Sequence, residues 1–211
     1  MIVPSQPPVP RVDLALPLRD GSVDLRSRVL VAGVVPPPRF GREAEVMASA
    51  AAVDASGADL VDVSLPPRLI GPVARAAATT VAVRAGTLDQ VAAARRAGAQ
   101  VVMVPPSLID EATGNRGDDG PALVLVVDDL ADLVSARAVA GRAGVPLALD
   151  STRMSAVDAM GNEAAAIAGG VRVIRTTDVR RSRRVAEVMA AILAARRPSA
   201  TAIADQTASA S

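Results

Sequence analysis

The 211 residues include no His, Lys, Cys, Tyr or Trp, and the only aromatic side chain is Phe40. Each absence removes a class of chemistry. All 23 basic residues are Arg, a group that stays protonated and shuttles protons poorly. Without His the chain lacks the usual acid/base of neutral pH. Without Lys and Cys it has neither a Schiff-base amine nor a thiolate nucleophile, and no Cys/His metal site. One Phe leaves almost nothing on which to stack bases, which counts against single-strand nucleic acid as a partner. A formal net charge of +1 supplies no general attraction for polyanions or anionic membranes. No apolar run has the length of a membrane span, and MIVPSQPPVPRVD does not read as a signal peptide. The lack of Cys fits a reducing compartment, so a cytoplasmic protein is expected. Any catalysis must use carboxylates, Ser/Thr hydroxyls, Arg and backbone amides.

What remains is half apolar, and the apolar set is Ala, Val and Leu. Such small branched side chains suit tight helix-on-sheet layers. Seven continuous apolar runs read as buried parallel strands: VLVAGVV (29–35), LVDVS (60–64), VAVRA (81–85), VVMVP (101–105), LVLVV (123–127), PLALD (146–150) and VRVIR (171–175). Ala/Arg/Glu-rich stretches at 42–56, 67–78, 87–97, 106–112, 129–143, 155–168 and 179–196 read as helices between them. SGADLV, AGAQVV and AGVPLA place a Gly at a helix end directly before a strand, the signature of an αβ loop. ATGNRGDDGP (112–121) reads as a loop. The alternation predicts an α/β fold, a (β/α) TIM-type barrel reduced to about seven β/α units, with an open doubly wound sheet as the rival. Residues 1–27 are expected to form a Pro-rich N-terminal arm, 28–197 the barrel domain and 198–211 a disordered tail.

Several segments, in order, resemble the dihydropteroate synthases, the pterin-binding barrels of folate biosynthesis. VLVAGVVPPPRFGREAEVMASAAAVDASGADLVDVS is similar to that family's first strand, loop, helix and "GAD-I-IDVGG" strand. TVAVRAGTLDQVAAARRAGAQVV is similar to the "SVDT" strand and its helix. DSTRMSAVDAMGNEAAAIAGGVRVIRTTDVRRSRRVAEVMAAIL resembles the tail that carries "SRKS" and "VRVHDV". The resemblance runs over roughly residues 28–195 and is most specific in its last forty.

It implies a pocket at the C-terminal ends of the strands, in which Asp, Asn and Lys hold a pterin and an Arg–His pair holds the leaving phosphate. Carried over residue by residue, Asp62, Arg153, Ser155, Arg175 and Asp178 match. The first loop is shorter and reads PPPRF (36–40), keeping Phe40 but no Asn. Arg84 stands at the "SVDT" Asp, Met154 at the Lys and Thr177 at the His; the "ND" position falls near Met103–Val104. The "DPG" segment has no counterpart, although Asp150 ends a strand, and the "GGESTRPG" turn is SLPPRLIGP. Each pterin N–H that loses its acceptor costs about 1–3 kcal/mol, so several such changes weigh against ordinary synthase activity.

Arg153 and Arg175, with Ser155, Thr176 or Thr177 and helix amides, have the donors of an anion site. Alternatively Arg175 pairs with Asp178 or Asp150 and anchors the last strand. Asp62, Asp150 and Asp128–Asp129 lie at predicted strand ends; Asp62 and Asp150 read either as general base or pterin-edge acceptor, or, for Asp150 and Asp129, as caps of the following helices. Arg84 reads as an anion ligand or as a partner of Asp62. RRSRR (180–184) reads as a solvated or ion-paired helix face rather than a nucleic-acid patch. Three functions follow: a diverged, catalytically impaired synthase-like protein with residual pterin or phosphate binding, associated with itself or with a true synthase; an active synthase with a reduced site; or a structural or regulatory partner without a ligand. Magnesium is implied only together with a pyrophosphate substrate.

Overall fold

The computed structural model describes residues 15–19, 21–37, 43–63, 67–115, 117 and 120–195. The expectations for residues 1–12, Phe40 and the 198–211 tail lie outside them. Among the described residues no helix is long and apolar enough to cross a membrane.

The seven apolar runs are the seven strands of a closed parallel barrel: β3 (Leu30–Val35), β4 (Leu60–Val63), β5 (Thr80–Arg84), β6 (Val101–Val104), β7 (Ala122–Val127), β8 (Leu147–Asp150) and β9 (Val173–Thr176). Each pairs with the next in chain order, and β9 closes on β3 with Leu30 opposite Val173 and Gly33 opposite Thr176. That last pairing excludes the open sheet. The strands are buried on both faces, which is why their sequences run apolar instead of alternating.

Around the barrel lie α1 (Glu43–Ala55), α2 (Pro67–Ala76), α3 (Leu88–Arg96), α4 (Ile109–Gly114), α5 (Leu133–Ala143), α6 (Ala156–Ala168) and α7 (Val179–Ala195). Gly57, Gly98 and Gly144 take φ of 90°, 88° and 68° just after α1, α3 and α5. These are left-handed turns that glycine adopts without a Cβ clash. The helix α4 runs on to Gly114, three residues into the stretch read as a loop. Its Ile109 and Ala112 are buried against the barrel, and the helix stops at Gly114 with Asn115 as its C-cap.

Two elements have no counterpart in the sequence reading. β1 (Ala15–Leu18) and β2 (Gly21–Asp24) pair antiparallel as a hairpin, within the stretch 1–27 read as an arm. Leu16 and Leu25 are fully buried and share a cluster with the inward residues Leu30, Ala32, Leu60, Ala82, Val101, Met103, Val124 and Val173. The hairpin therefore plugs one end of the barrel, and Arg19 ties it down by donating its amide to Thr80 Oγ1 (2.7 Å) and its guanidinium to the carbonyls of Ala74 and Ala77. A second cluster, largely Val and Ala, fills the shell between strands and helices. Helix-to-strand approach is close there: a Cβ built on Gly33 would lie 2.4 Å from Val53 Cγ1 and 2.7 Å from Val179 Cγ2.

Candidate functional site at the barrel mouth

Side chains alternate between the lumen and the helical shell along every barrel strand. On β4, Leu60 belongs to the luminal cluster while Val61 and Val63 belong to the shell, so Asp62 points inward. The same alternation turns Arg84 inward after Ala82, Asp150 after Ala148 and Arg175 after Val173. The lumen is thus apolar from the hairpin upward and charged in its last layer, at the C-terminal ends where barrel enzymes carry their chemistry.

That layer is one continuous ion-pair chain. Arg175 Nε donates to Asp62 Oδ2 (2.6 Å) and its Nη1 donates to Asp150 Oδ2 (2.7 Å). Arg84 Nη1 donates to the same Asp150 oxygen, and its Nη2 reaches both oxygens of Asp128 (2.8 and 2.9 Å) just beyond β7. Asp150 Oδ1 receives the Thr152 amide (3.0 Å) and hydroxyl (2.6 Å). The order is Asp62–Arg175–Asp150–Arg84–Asp128, from fully buried at Asp62 to exposed at Asp128.

The two inner carboxyls behave oppositely. Burial pushes the Asp62 carboxyl above its ordinary value, against the pull of Arg175; among the described residues Oδ1 has no hydrogen-bond partner. Burial also opposes the charge on Asp150, but the Thr152 hydroxyl, Arg175, the Thr152 amide and Arg84 together outweigh it and hold the carboxyl below the usual range. For Arg175 the cost of burial is exceeded by Asp62 and Asp150, which keep the guanidinium protonated.

Of the residues singled out in the sequence, the structure joins Asp62, Arg84, Asp150 and Arg175. Arg175 takes the pairing alternative with Asp150, while Asp178 faces Arg181 instead. Arg84 pairs with Asp150 and Asp128 and makes no bond to Asp62. Arg153, Ser155 and Thr177 are exposed and stand outside this network. Ser155 is the N-cap of α6, accepting from the Asp158 amide (3.2 Å) and donating to Asp158 Oδ2 (2.6 Å). Asp150 does not cap α6; its Thr152 bonds form a local turn. Asp129 does cap, accepting from the Ala131 amide (3.0 Å) in the short turn before α5. Beside the ion-pair chain opens a recess of about 410 Å³ lined by Asp128, Asp129, Asp150, Arg153, Met154, Ser155, Asp158 and Asn162.

The sequence reading missed a second polar cluster, behind the mouth between α6, α7 and β9. Glu163 is fully buried; its Oε1 accepts from Ser151 Oγ (2.7 Å), Ser182 Oγ (2.8 Å) and Arg181 Nη2 (3.4 Å). Ser182 also bonds Thr176 Oγ1 (3.0 Å), and the Ser151 amide donates to the Arg175 carbonyl (2.9 Å). The signal was present: Glu163 lies four residues after Ala159 and three before Ala166, on the buried face of α6. RRSRR accordingly contributes partners and not a basic face alone, with Arg181 on Glu163 and Arg183 on Asp59 (2.6 Å).

No protein-family model matches this chain, and no curated protein matches it either. Solved structures do. The dihydropteroate synthase of Yersinia pestis, solved with a pterine-sulfa conjugate, superposes with a TM-score of 0.64 at 15% identity, over 86% of this chain and 100% of that one. The 7,8-dihydropteroate synthase of Vibrio fischeri gives 0.63 at 13% identity, over 88% and 100%. The Coxiella burnetii enzyme in complex with pteroic acid gives 0.61 at 13%, over 83% and 97%. The resemblance read from the sequence is met in three dimensions, and this chain has the β/α barrel fold of the dihydropteroate synthases.

Proposed function

We propose that this chain is a diverged dihydropteroate-synthase-like protein of folate biosynthesis, catalytically impaired, whose barrel mouth retains a recess for a pterin-like ligand. The observation that carries the reading is the placement of Arg175. The family resemblance assigns this position to the leaving phosphate, yet here the guanidinium fork is divided between Asp62 and Asp150, at 2.6 and 2.7 Å. A phosphate arriving there meets two carboxylates and would have to displace them, each a charge-assisted bond in a buried setting. Electrostatic stabilisation of a departing pyrophosphate, the largest contribution such a site makes, is thereby lost. Residual anion binding is left to Arg153, the exposed guanidinium of the recess.

The donor set does not fit a magnesium ion: Asp62 and Asp150 are taken up by guanidinium groups, and among the described residues no three carboxylates are grouped as metal ligands. A pterin is a better match, because its N–H edge seeks carboxylate acceptors and the recess offers Asp129 and Asp158, which no guanidinium occupies among the described residues.

The test is calorimetric titration with dihydropterin and with dihydropterin pyrophosphate, with and without magnesium, alongside an assay for dihydropteroate formation from p-aminobenzoate. The expected result is binding of both pterins with little gain from the pyrophosphate and no product. Formation of dihydropteroate would overturn impairment and favour the active synthase with a reduced site. Absence of any heat would overturn the ligand and leave the structural or regulatory partner, for which association with a true synthase is the next measurement.

A further inference from the structure

We propose that the N-terminal end of the barrel, opposite the mouth, carries a site for a small amphiphilic monoanion, its carboxylate head on Arg28 and Arg183 and its apolar body against the last turns of α7. Arg28 precedes β3, Asp59 precedes β4 and Arg183 lies on α7. Asp59 is almost fully buried, and the Val31 amide fixes it by donating to Oδ2 (2.8 Å). Two guanidinium groups converge on this one carboxylate: Arg28 Nη2 donates to Oδ1 and Arg183 Nη2 to Oδ2 (2.6 Å). Arg183 Nη2 also donates to the Gly57 carbonyl (2.7 Å). The trio therefore carries one surplus positive charge. Among the described residues both arginines bond through Nη2 alone, so the Nη1 and Nε donors of each are left for a ligand. Both side chains line a recess of about 460 Å³.

That recess shares Ser27, Arg28, Val29 and Ala190 with a second one of about 480 Å³, and the two form one groove. Val29, Ala190, Leu193 and Ala194 give the second part an apolar wall on which a hydrocarbon body is sheltered from water. Arg26 and Arg172 also line it, and among the described residues no carboxylate does. The first part holds one further acid, the exposed Glu187. A planar carboxylate matches the edges of two guanidinium groups, while a single surplus charge and the nearby Glu187 disfavour a dianion. Asp59 and the Gly57 carbonyl hold the Arg183 fork before any ligand arrives, so little side-chain freedom is lost on binding. No residue of the mouth takes part, and the site stands or falls apart from the pterin reading.

Octanoate is the probe, titrated by calorimetry at neutral pH, with inorganic phosphate as the control without a tail and methyl octanoate as the control without a charge. Saturable octanoate binding is expected, with both controls weaker. Arg28 is 52% exposed, and its loss leaves Asp59 with Arg183 and the Val31 amide, so Arg28→Gln should fold. It should weaken octanoate at least about tenfold, the ratio set by one charge-assisted hydrogen bond. Arg183→Gln should act in the same direction. Arg153→Ala, at the mouth, should leave octanoate affinity unchanged. No saturable binding to the wild type would overturn the proposal, as would wild-type affinity in Arg28→Gln or in a folded Arg183→Gln. Loss of binding in Arg153→Ala, or either control binding as tightly as octanoate, would overturn it as well.

Discussion

Replacing Arg175 by Met is the most revealing perturbation of this barrel. The change removes the only bonding partner that Asp62, a carboxyl with no exposure, has among the described residues, and one of the two guanidinium partners of Asp150 among them. Breaking a buried pair by deleting one member costs about 3–5 kcal/mol, because the remaining charge is stranded. In a chain of this size about 2–4 °C of melting temperature goes with each kcal/mol, so a fall of about 6–20 °C is expected by thermal unfolding followed by circular dichroism. The pH dependence carries the diagnosis. Burial already raises the Asp62 carboxyl above the ordinary 3.8, and losing Arg175 raises it further. A carboxyl whose folded pKa is raised contributes stability fully present below the unfolded value and lost as pH rises through the folded one. The deficit of Arg175→Met against wild type should therefore widen from acid to neutral pH. Adding Asp62→Leu removes the stranded charge and should restore most of the stability, since an apolar pair can replace a buried ion pair at little net cost. A deficit below about 1 kcal/mol at neutral pH, or a double variant no more stable than the single one, would refute the reasoning.

Gly33→Ala should destabilise by about 1–3 kcal/mol in urea titration, because the new Cβ would sit 2.4 Å from Val53 Cγ1 and 2.7 Å from Val179 Cγ2, both β-branched and stiff. Leu16→Ala or Leu25→Ala, each emptying the hairpin plug, should cost about 2–5 kcal/mol, an outcome that truncating a loose arm would not give. Ser155→Ala removes the N-cap of α6 and should cost about 1 kcal/mol in the same titration. Asp150→Asn should flatten the acid limb of stability against pH. The wild-type carboxyl sits below 3.8, so its contribution is present above that value and is lost as pH falls through the folded one.

Much of this architecture is legible because both faces of a barrel strand are covered. VVMV and ALVLVV are apolar throughout and LVDV is broken only by the luminal Asp62, and Gly57, Gly98 and Gly144 mark the helix-to-strand turns with positive φ. The hairpin is harder to read: its strands ALPL and GSVD are four residues long, one interrupted by Pro17, and the pair owes its place to Leu16 and Leu25 reaching into the lumen. Glu163 is hidden for a related reason. A carboxylate in a helix is ordinarily solvated, and only the convergence of Ser151, Ser182 and Arg181 from other segments makes its burial tolerable.

By itself the sequence determined the repertoire and the repeat. A chain without His, Lys or Cys has only carboxylates, hydroxyls, guanidinium groups and backbone amides for its site, and seven apolar runs separated by Ala/Arg/Glu-rich stretches can satisfy their backbone and bury their side chains as β/α units. Tertiary structure decided what the charged residues became. Asp62 and Arg175 are 113 residues apart, and whether such an Arg is an anion ligand or a carboxylate's partner depends on which strand ends face one another. Closure of β9 on β3 brings those ends around one lumen, and in that low-dielectric space an unpaired guanidinium beside a buried Asp is the costlier arrangement, so the charges satisfied each other.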